Sequence, residues 1–251
     1  EVPQRLVLIG GGVIGLELGL VYARLGSDVT VVEMTEQLLP GMDPDIVQVL
    51  QRSLKKRKIK IHTQTRAQSV ERVTDASGVE KATVMLEKMQ GNGAENTTQV
   101  LESVDKVLVA VGRLPNSQGL GLEQVGVQTD ERGFIAVDKQ LRTSVPHIFA
   151  IGDVTSGPLL AHKASKEGLV AAEVIAGNAH AQLDYRAMPA AVFTDPEIAT
   201  VGLTESQAQQ AGYQVHTATF PFAASGRALS MNHSDGLVKM VTDVKTAQIL
   251  G

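Results

Sequence analysis

Along the first sixty residues, short apolar runs alternate with longer stretches whose apolar positions recur every three or four residues. Arg5-Leu-Val-Leu-Ile9 reads as a buried strand, and glycines then lead into Val13 to Leu25, a helical pattern stopped by Gly26. Val29-Thr-Val-Val32 predicts a second strand. Asp43-Pro44 has the form of an N-cap followed by a first-turn proline, opening a helix to about Arg57, and Ile59-Lys-Ile61 is a third strand. Strands and helices in this alternation predict parallel pairing through right-handed crossovers. From Gln68 to about Leu101 the pattern turns to period-two alternation, broken at Asp75-Ala-Ser-Gly78 and Gly91-Asn-Gly93, as in an antiparallel meander. Lys106-Val-Leu-Val-Ala110 then returns as a buried strand.

Beyond Pro115 the texture changes. Gly133 to Val137 and His147 to Ile151 read as strands, and His162 to about Ala176 as a helix. After Tyr185 come a strand near Ala191, a short helix capped by Thr204, and strands near 214–220, 237–241 and 247–250. The expected fold class is α/β, with three parts. Residues 1–115 form a part of alternating strands and helices with an antiparallel meander. Residues 116–184 and 185–251 form further parts, the last of α+β type.

Composition narrows the chemistry. With 23 Lys+Arg against 27 Asp+Glu, the chain of 251 residues is slightly acidic, which disfavours a nucleic-acid partner. The basic run Lys55-Lys-Arg-Lys58 falls on the last turn of a predicted helix, where cations meet the negative end of the dipole, and reads as a solvated helix end. No apolar run approaches the ~18 residues of a membrane span, so no membrane partner is expected. The absence of cysteine removes disulfide scaffolds, thiolate metal sites, iron–sulfur clusters and cysteine nucleophiles from these residues. The six histidines share no ligand-like spacing, so no metal site is expected.

Two constellations remain. Gly10-x-Gly12-x-x-Gly15 lies between the first strand and the first helix, where glycines allow a tight turn and close approach of a pyrophosphate, and where the helix start offers N–H donors. Glu33 ends the next strand eighteen residues after Gly15, the place for a carboxylate that holds an adenosine ribose diol and repels a 2′-phosphate. Glu17, placed on the first turn of the same helix, reads from its position alone as an exposed carboxylate favoured by the dipole. In the second constellation an apolar strand delivers Gly152-Asp153, and a loop through Gly157-Pro-Leu159-Leu160 enters a helix at Ala161-His162-Lys163. Asp153 is either a common turn residue or a ligand for a hydroxyl chain. His162 and Glu167 are poorly placed as an acid–base pair, since five helical residues turn by about 500°.

Taken in order, Gly10-Gly-Gly-Val13-Ile14-Gly15-Leu16-Glu17, Val109-Ala-Val-Gly112-Arg113-Leu-Pro-Asn116, Ala150-Ile-Gly152-Asp153 and Leu160-Ala-His-Lys-Ala164 resemble the motifs of the flavoprotein disulfide reductases. The last of these is similar to the dihydrolipoyl dehydrogenases within that family, and Ala191 to Glu197 with Phe220 to Ala224 resemble the start of their interface domain. The resemblance implies two cofactors, NAD and FAD. Gly10, Gly11, Gly12, Val13, Ile14, Gly15, Leu16 and Glu17 would line the NAD path, with Glu33 on the ribose and Gly112 and Arg113 closing the site. Asp153 would hold the FAD ribityl chain, with Leu159, Leu160, Ala161 and His162 facing the isoalloxazine ring. Residues 1–115 would be a Rossmann-like NAD-binding domain, 116–184 the second half of a split FAD domain, and 185–251 the opening of a dimer interface. Glu17 gains a supporting role near the nicotinamide, and no catalytic residue falls in the chain. The implied reaction is oxidation of dihydrolipoamide on a lipoyl domain of a 2-oxo acid dehydrogenase complex or the glycine cleavage system, by a homodimer in the bacterial cytoplasm or a mitochondrial matrix. In the family the redox cysteine pair and the catalytic His-Glu pair lie in parts this chain does not contain. The expectation is therefore the middle of a larger enzyme, inactive by itself. The competing readings are another flavin reductase of the mercuric type and a stand-alone NAD-binding module.

Overall fold

The computed structural model describes residues 1–74, 78–89 and 96–251. It divides into two compact units, one of Glu1–Gly112 with Ala191–Gly251 and one of Arg113–Ala190.

The first unit opens on β1 (Arg5–Ile9), α1 (Val13–Arg24) and β2 (Asp28–Val32). α2 (Pro44–Lys56) and β3 (Lys60–His62) follow. The α2 start is built as its sequence implies. The Asp43 side chain accepts from Asp45 N–H, Pro44 occupies the first turn, and Lys55 and Lys56 stand in the last. β4 (Thr65–Thr74), β5 (Glu80–Lys88) and β6 (Thr97–Val104) form the antiparallel meander, and β7 (Lys106–Val109) returns to the parallel sheet. Of the two breaks read in the meander, residues 75–77 and 91–93 lie outside the described residues.

The parallel sheet has the order β3-β2-β1-β7. Both faces are covered, which is why β2 is buried at four of its five positions and carries no polar-out alternation. On one face Leu16 and Leu20 of α1 pack with Val47, Leu50 and Leu54 of α2 and with Leu6, Leu8, Val29 and Val31. On the other, Val84 and Leu86 of β5 and Val104 of β6 pack on Val7 and Val32.

The second unit has less regular structure. Its helices are α3 (Leu122–Val125) and α4 (Ala161–Ile175), the latter packing Val170, Ala171 and Val174 against Leu141, Ala181 and Leu183. The strands expected at 133–137 and 147–151 are reduced to isolated bridges, Ile135 with Thr129 and Thr155, and Phe149 with Arg142. Their neighbours are turns. The Asp138 carboxylate accepts from the N–H groups of Gln140 and Arg142, bending the chain where a ladder would continue.

The chain then re-enters the first unit. β8 (Ala190–Val192) pairs with β9 (Ile198–Thr200). α5 (Glu205–Gln210) starts in a full capping box between Thr204 and Gln207. β10 (Val215–Pro221), α6 (Gly226–Ser230) and β11 (Leu237–Asp243) follow, β10 and β11 antiparallel. The strand expected at 247–250 is reduced to one bridge between Ile249 and Thr242, because Ala247 turns the chain with φ +57°. Val192 and Ile198 join the α1–α2 core. The Lys239 ammonium, nearly buried, meets Asp43, Asp45 and Glu205 at 2.7 to 3.0 Å. Among the described residues no helix is long and apolar enough to cross a membrane.

Candidate functional site

In the first unit the candidate site is the turn from β1 to α1. β1 is flanked by β2 on one side and β7 on the other, so the strand order reverses here, and this is where open α/β sheets bind ligands at the carboxyl ends of their strands. Gly10 leaves β1 with φ +108°, and a Cβ there would stand 2.3 Å from the Ala110 carbonyl oxygen beyond β7. At Gly15 a Cβ would stand 2.4 Å from the Gly10 carbonyl oxygen, so helix and strand can approach this closely only without side chains. At Gly12 nothing lies within 4 Å of such a Cβ. Gly12 is also the N-cap of α1, extended and without a side-chain cap, so the first-turn N–H groups have no side-chain acceptor. The loop is thus tight at both ends and open in the middle, with Val13 and Ile14 exposed and Leu16 in the core. That arrangement suits a diphosphate, which needs close backbone approach and several N–H donors.

Glu33 follows β2 directly and is 7% exposed. Its Oε2 accepts from the Gly11 N–H at 2.7 Å, and its Oε1 accepts from the Thr35 N–H at 2.8 Å and lies 2.9 Å from the Thr35 hydroxyl. A carboxylate has about four acceptor sites, so capacity remains for a ribose hydroxyl while the same group fixes the loop. Glu17 is the fifth residue of α1, one position beyond the first turn, since the helix starts only at Val13. Its Oε1 accepts from the Phe193 N–H at 2.8 Å. Gly112 lies exposed just past β7, with φ +128°.

The second unit gathers the other expected residues. Asp153 stands in a single 3-10 turn, Gly152–Val154. Its carboxylate is 3.6 Å from the Arg113 guanidinium, both partly exposed. Arg113, expected beside Gly112, is therefore brought to Asp153. Leu159 and Leu160 are half-buried, Ala161 is exposed, and Leu160 is the extended N-cap of α4, again without a side-chain cap. The His162 ring is exposed, its Nε2 donating to the Pro189 carbonyl at 2.6 Å.

Beneath this turn lie two residues that the sequence names without pairing, Lys163 in the Leu160–Ala164 motif and Glu167 as a poor partner of His162. Lys163 and Glu167 are fully buried and paired at 3.1 Å, one turn apart on α4. The Lys163 ammonium also donates to the Gly152 carbonyl and to Thr155 Oγ1, each at 3.1 Å. Glu167 accepts from the Gly152 N–H and from the Tyr185 hydroxyl, each at 2.6 Å. Burial and the adjoining Glu167 carboxylate raise the Tyr185 phenol above its ordinary pKa, keeping it a donor. The i,i+4 spacing of Lys163 and Glu167 is the signal that could have found this pair.

Residues 1–168 match the family model "Pyridine nucleotide-disulphide oxidoreductase", and residues 188–251 match that family's dimerisation domain. The chain is 49% identical over 250 residues to a dihydrolipoyl dehydrogenase of Thermus scotoductus, and 46% identical over 252 residues to one of Bacillus subtilis. Both alignments cover all of this chain but 52% and 51% of those relatives, so the chain spans about half their length. Among solved structures, LpdA of Mycobacterium tuberculosis and a copper complex of a cysteine-to-serine mutant of the flavoprotein disulfide reductase RclA of Escherichia coli each superpose with a TM-score of 0.84 at 30% identity. Those superpositions cover all of this chain and 51% and 53% of theirs.

Proposed function

The chain belongs to the pyridine nucleotide-disulphide oxidoreductases, and from that premise we propose that it is the central part of an NAD-dependent dihydrolipoyl dehydrogenase. The observation that carries the proposal is identity of 44 to 49% to eight dihydrolipoyl dehydrogenases over the whole chain. The geometry of the two turns supports it. In this reading residues 1–115 bind NAD, 116–184 are the second half of an FAD domain, and 185–251 open a dimer interface. The functional form is a homodimer in the cytoplasm or matrix, whose partner is a lipoyl domain.

The α1 start, open over Gly12, has the donors and the space for the NAD diphosphate, and Glu33 has the remaining acceptor capacity for its adenosine ribose. Glu17, held by the Phe193 N–H, supports the nicotinamide end. In the second unit, Asp153 would accept hydroxyls of the FAD ribityl chain, and the uncapped start of α4 would present N–H groups to an electron-rich ring. Bound FAD would supply two-electron transfer between a thiol pair and the nicotinamide. The net change is dihydrolipoamide plus NAD+ giving lipoamide, NADH and a proton. The chain has no cysteine, so the thiol pair is not among its residues.

Steady-state assays of the flavoprotein containing this chain should give lipoamide-linked NADH turnover far above that with Hg(II) or oxidised glutathione. Preference for either of the latter refutes the proposal. Glu33→Ala should weaken NADH binding and narrow its preference over NADPH in a fluorescence titration. An unchanged ratio refutes the ribose role.

A further inference from the structure

Gly152, the residue before Asp153, has both its polar backbone groups held by one ion pair. Its N–H donates to Glu167 Oε2 at 2.6 Å, and its carbonyl accepts from the Lys163 ammonium at 3.1 Å. Thr155, fully buried on the far side of the turn, donates its hydroxyl to the same carbonyl at 2.8 Å and accepts from Lys163. Glu167 is itself braced by the Tyr185 hydroxyl. Gly152 has φ +79°, a conformation for which the backbone alone has little preference, so its geometry must come from its partners.

A buried ion pair is costly to desolvate, and an apolar pair of the same volume is often as stable or more so. Stability therefore gives a weak account of Lys163 and Glu167, both without exposed surface. The Gly152 carbonyl also accepts from the Thr155 N–H and hydroxyl, but what an apolar pair could not do is accept the Gly152 N–H or tie the carbonyl to α4 through the Lys163 ammonium. Lys163 and Glu167 stand in the first two turns of α4, and so tie the start of that helix to the Gly152–Asp153 turn.

We infer that Lys163 and Glu167 are the positioning residues of the flavin site, a clamp that sets the Gly152–Asp153 turn against the start of α4. This rests on the reading of Asp153 as a flavin ligand. Both side chains are fully buried, and the clamp acts through Gly152.

The test uses the full-length flavoprotein, with flavin affinity, the visible flavin band, NADH affinity and Tm measured on each variant. Lys163→Met should weaken flavin binding about tenfold or more, the loss that goes with one charge-assisted hydrogen bond, shift the flavin band, and leave NADH affinity within about twofold. Lys163→Met/Glu167→Leu carries no unpaired charge and should regain most of the Tm lost in the single variant, while its flavin affinity stays low. A double variant whose flavin affinity recovers with its Tm overturns the inference, as does wild-type flavin affinity in Lys163→Met. Should the buried variants fail to fold, Tyr185→Phe removes one hydrogen bond from Glu167 at a partly exposed ring. About threefold weaker flavin binding is then expected, and none overturns the clamp. Asp153→Ala separates the two levels. Retained flavin there refutes the reading of Asp153, whereas flavin lost there but kept in the Lys163 and Glu167 variants refutes the clamp alone.

Discussion

The two turns solve the same problem by opposite means. The Gly10–Gly15 loop is shaped by the absence of side chains, with carbonyl oxygens 2.3 and 2.4 Å from where the Cβ atoms of Gly10 and Gly15 would sit. The Gly152–Asp153 turn is shaped by the presence of two charged side chains buried beneath it. Steric shaping needs no partner and resists pH and salt. Polar shaping depends on packing that keeps water from the pair, and it fails as a unit when one partner is lost. Both turns also use a carboxylate that accepts from a glycine N–H, Glu33 for Gly11 and Glu167 for Gly152. In the first the carboxylate keeps spare acceptor capacity at the proposed ligand site, and in the second it is enclosed.

The difference can be broken most forcefully at Lys163. Lys163→Met strands a fully buried carboxylate, and urea unfolding should show a loss of roughly 3 to 5 kcal/mol. The steric counterpart is Gly10→Ala, which adds a left-handed φ penalty to a clash with backbone. A loss of about 2 to 4 kcal/mol is expected by the same measurement. Gly12→Ala sharpens the contrast within one loop. Its Cβ meets nothing within 4 Å, so stability should change by no more than about 0.5 kcal/mol while NADH affinity falls. Equal destabilisation by the two alanines would contradict the steric account.

A modest effect lies away from both turns, at Asp195, which binds Arg24 and Arg57 on α1 and just past α2. Partial burial pushes the Asp195 pKa up, but hydrogen bonds and charge from the two arginines outweigh it and hold the carboxyl below its ordinary value. A depressed folded-state pKa means the stabilisation is fully present above the unfolded carboxylate range near pH 4 and is lost as pH falls through the folded value. Asp195→Asn should therefore cost under about 1 kcal/mol at pH 7, with the difference shrinking in acid. A gap that widens as pH falls would reverse the assigned sign.

Much of the first unit is legible in its sequence. The helix boundaries at Val13 and Pro44 and the capping of Thr204 follow from side chains acting on their own backbone within a few residues, and the parallel pairing follows from the alternation of strands and helices. The second unit was legible mainly in its helix. Its apolar runs predict strands, yet a strand needs a partner, and those runs meet turns anchored by Asp130 and Asp138 instead. The contact of Glu17 shows the same limit, since its hydrogen-bond partner Phe193 is 176 residues away.

By itself, then, the order of residues determined where glycine is required, where helices start, and that a carboxylate ends β2, because these are short-range matters of sterics and capping. Only the tertiary structure decided that Arg113 meets Asp153, that Glu33 braces the loop it was expected to serve, and that Lys163 and Glu167 form an enclosed pair. Whether a charge is buried, and against what, depends on segments that come together only when the chain packs. Leu141, Leu183 and Tyr185 around α4 are of that kind, and no local pattern records them.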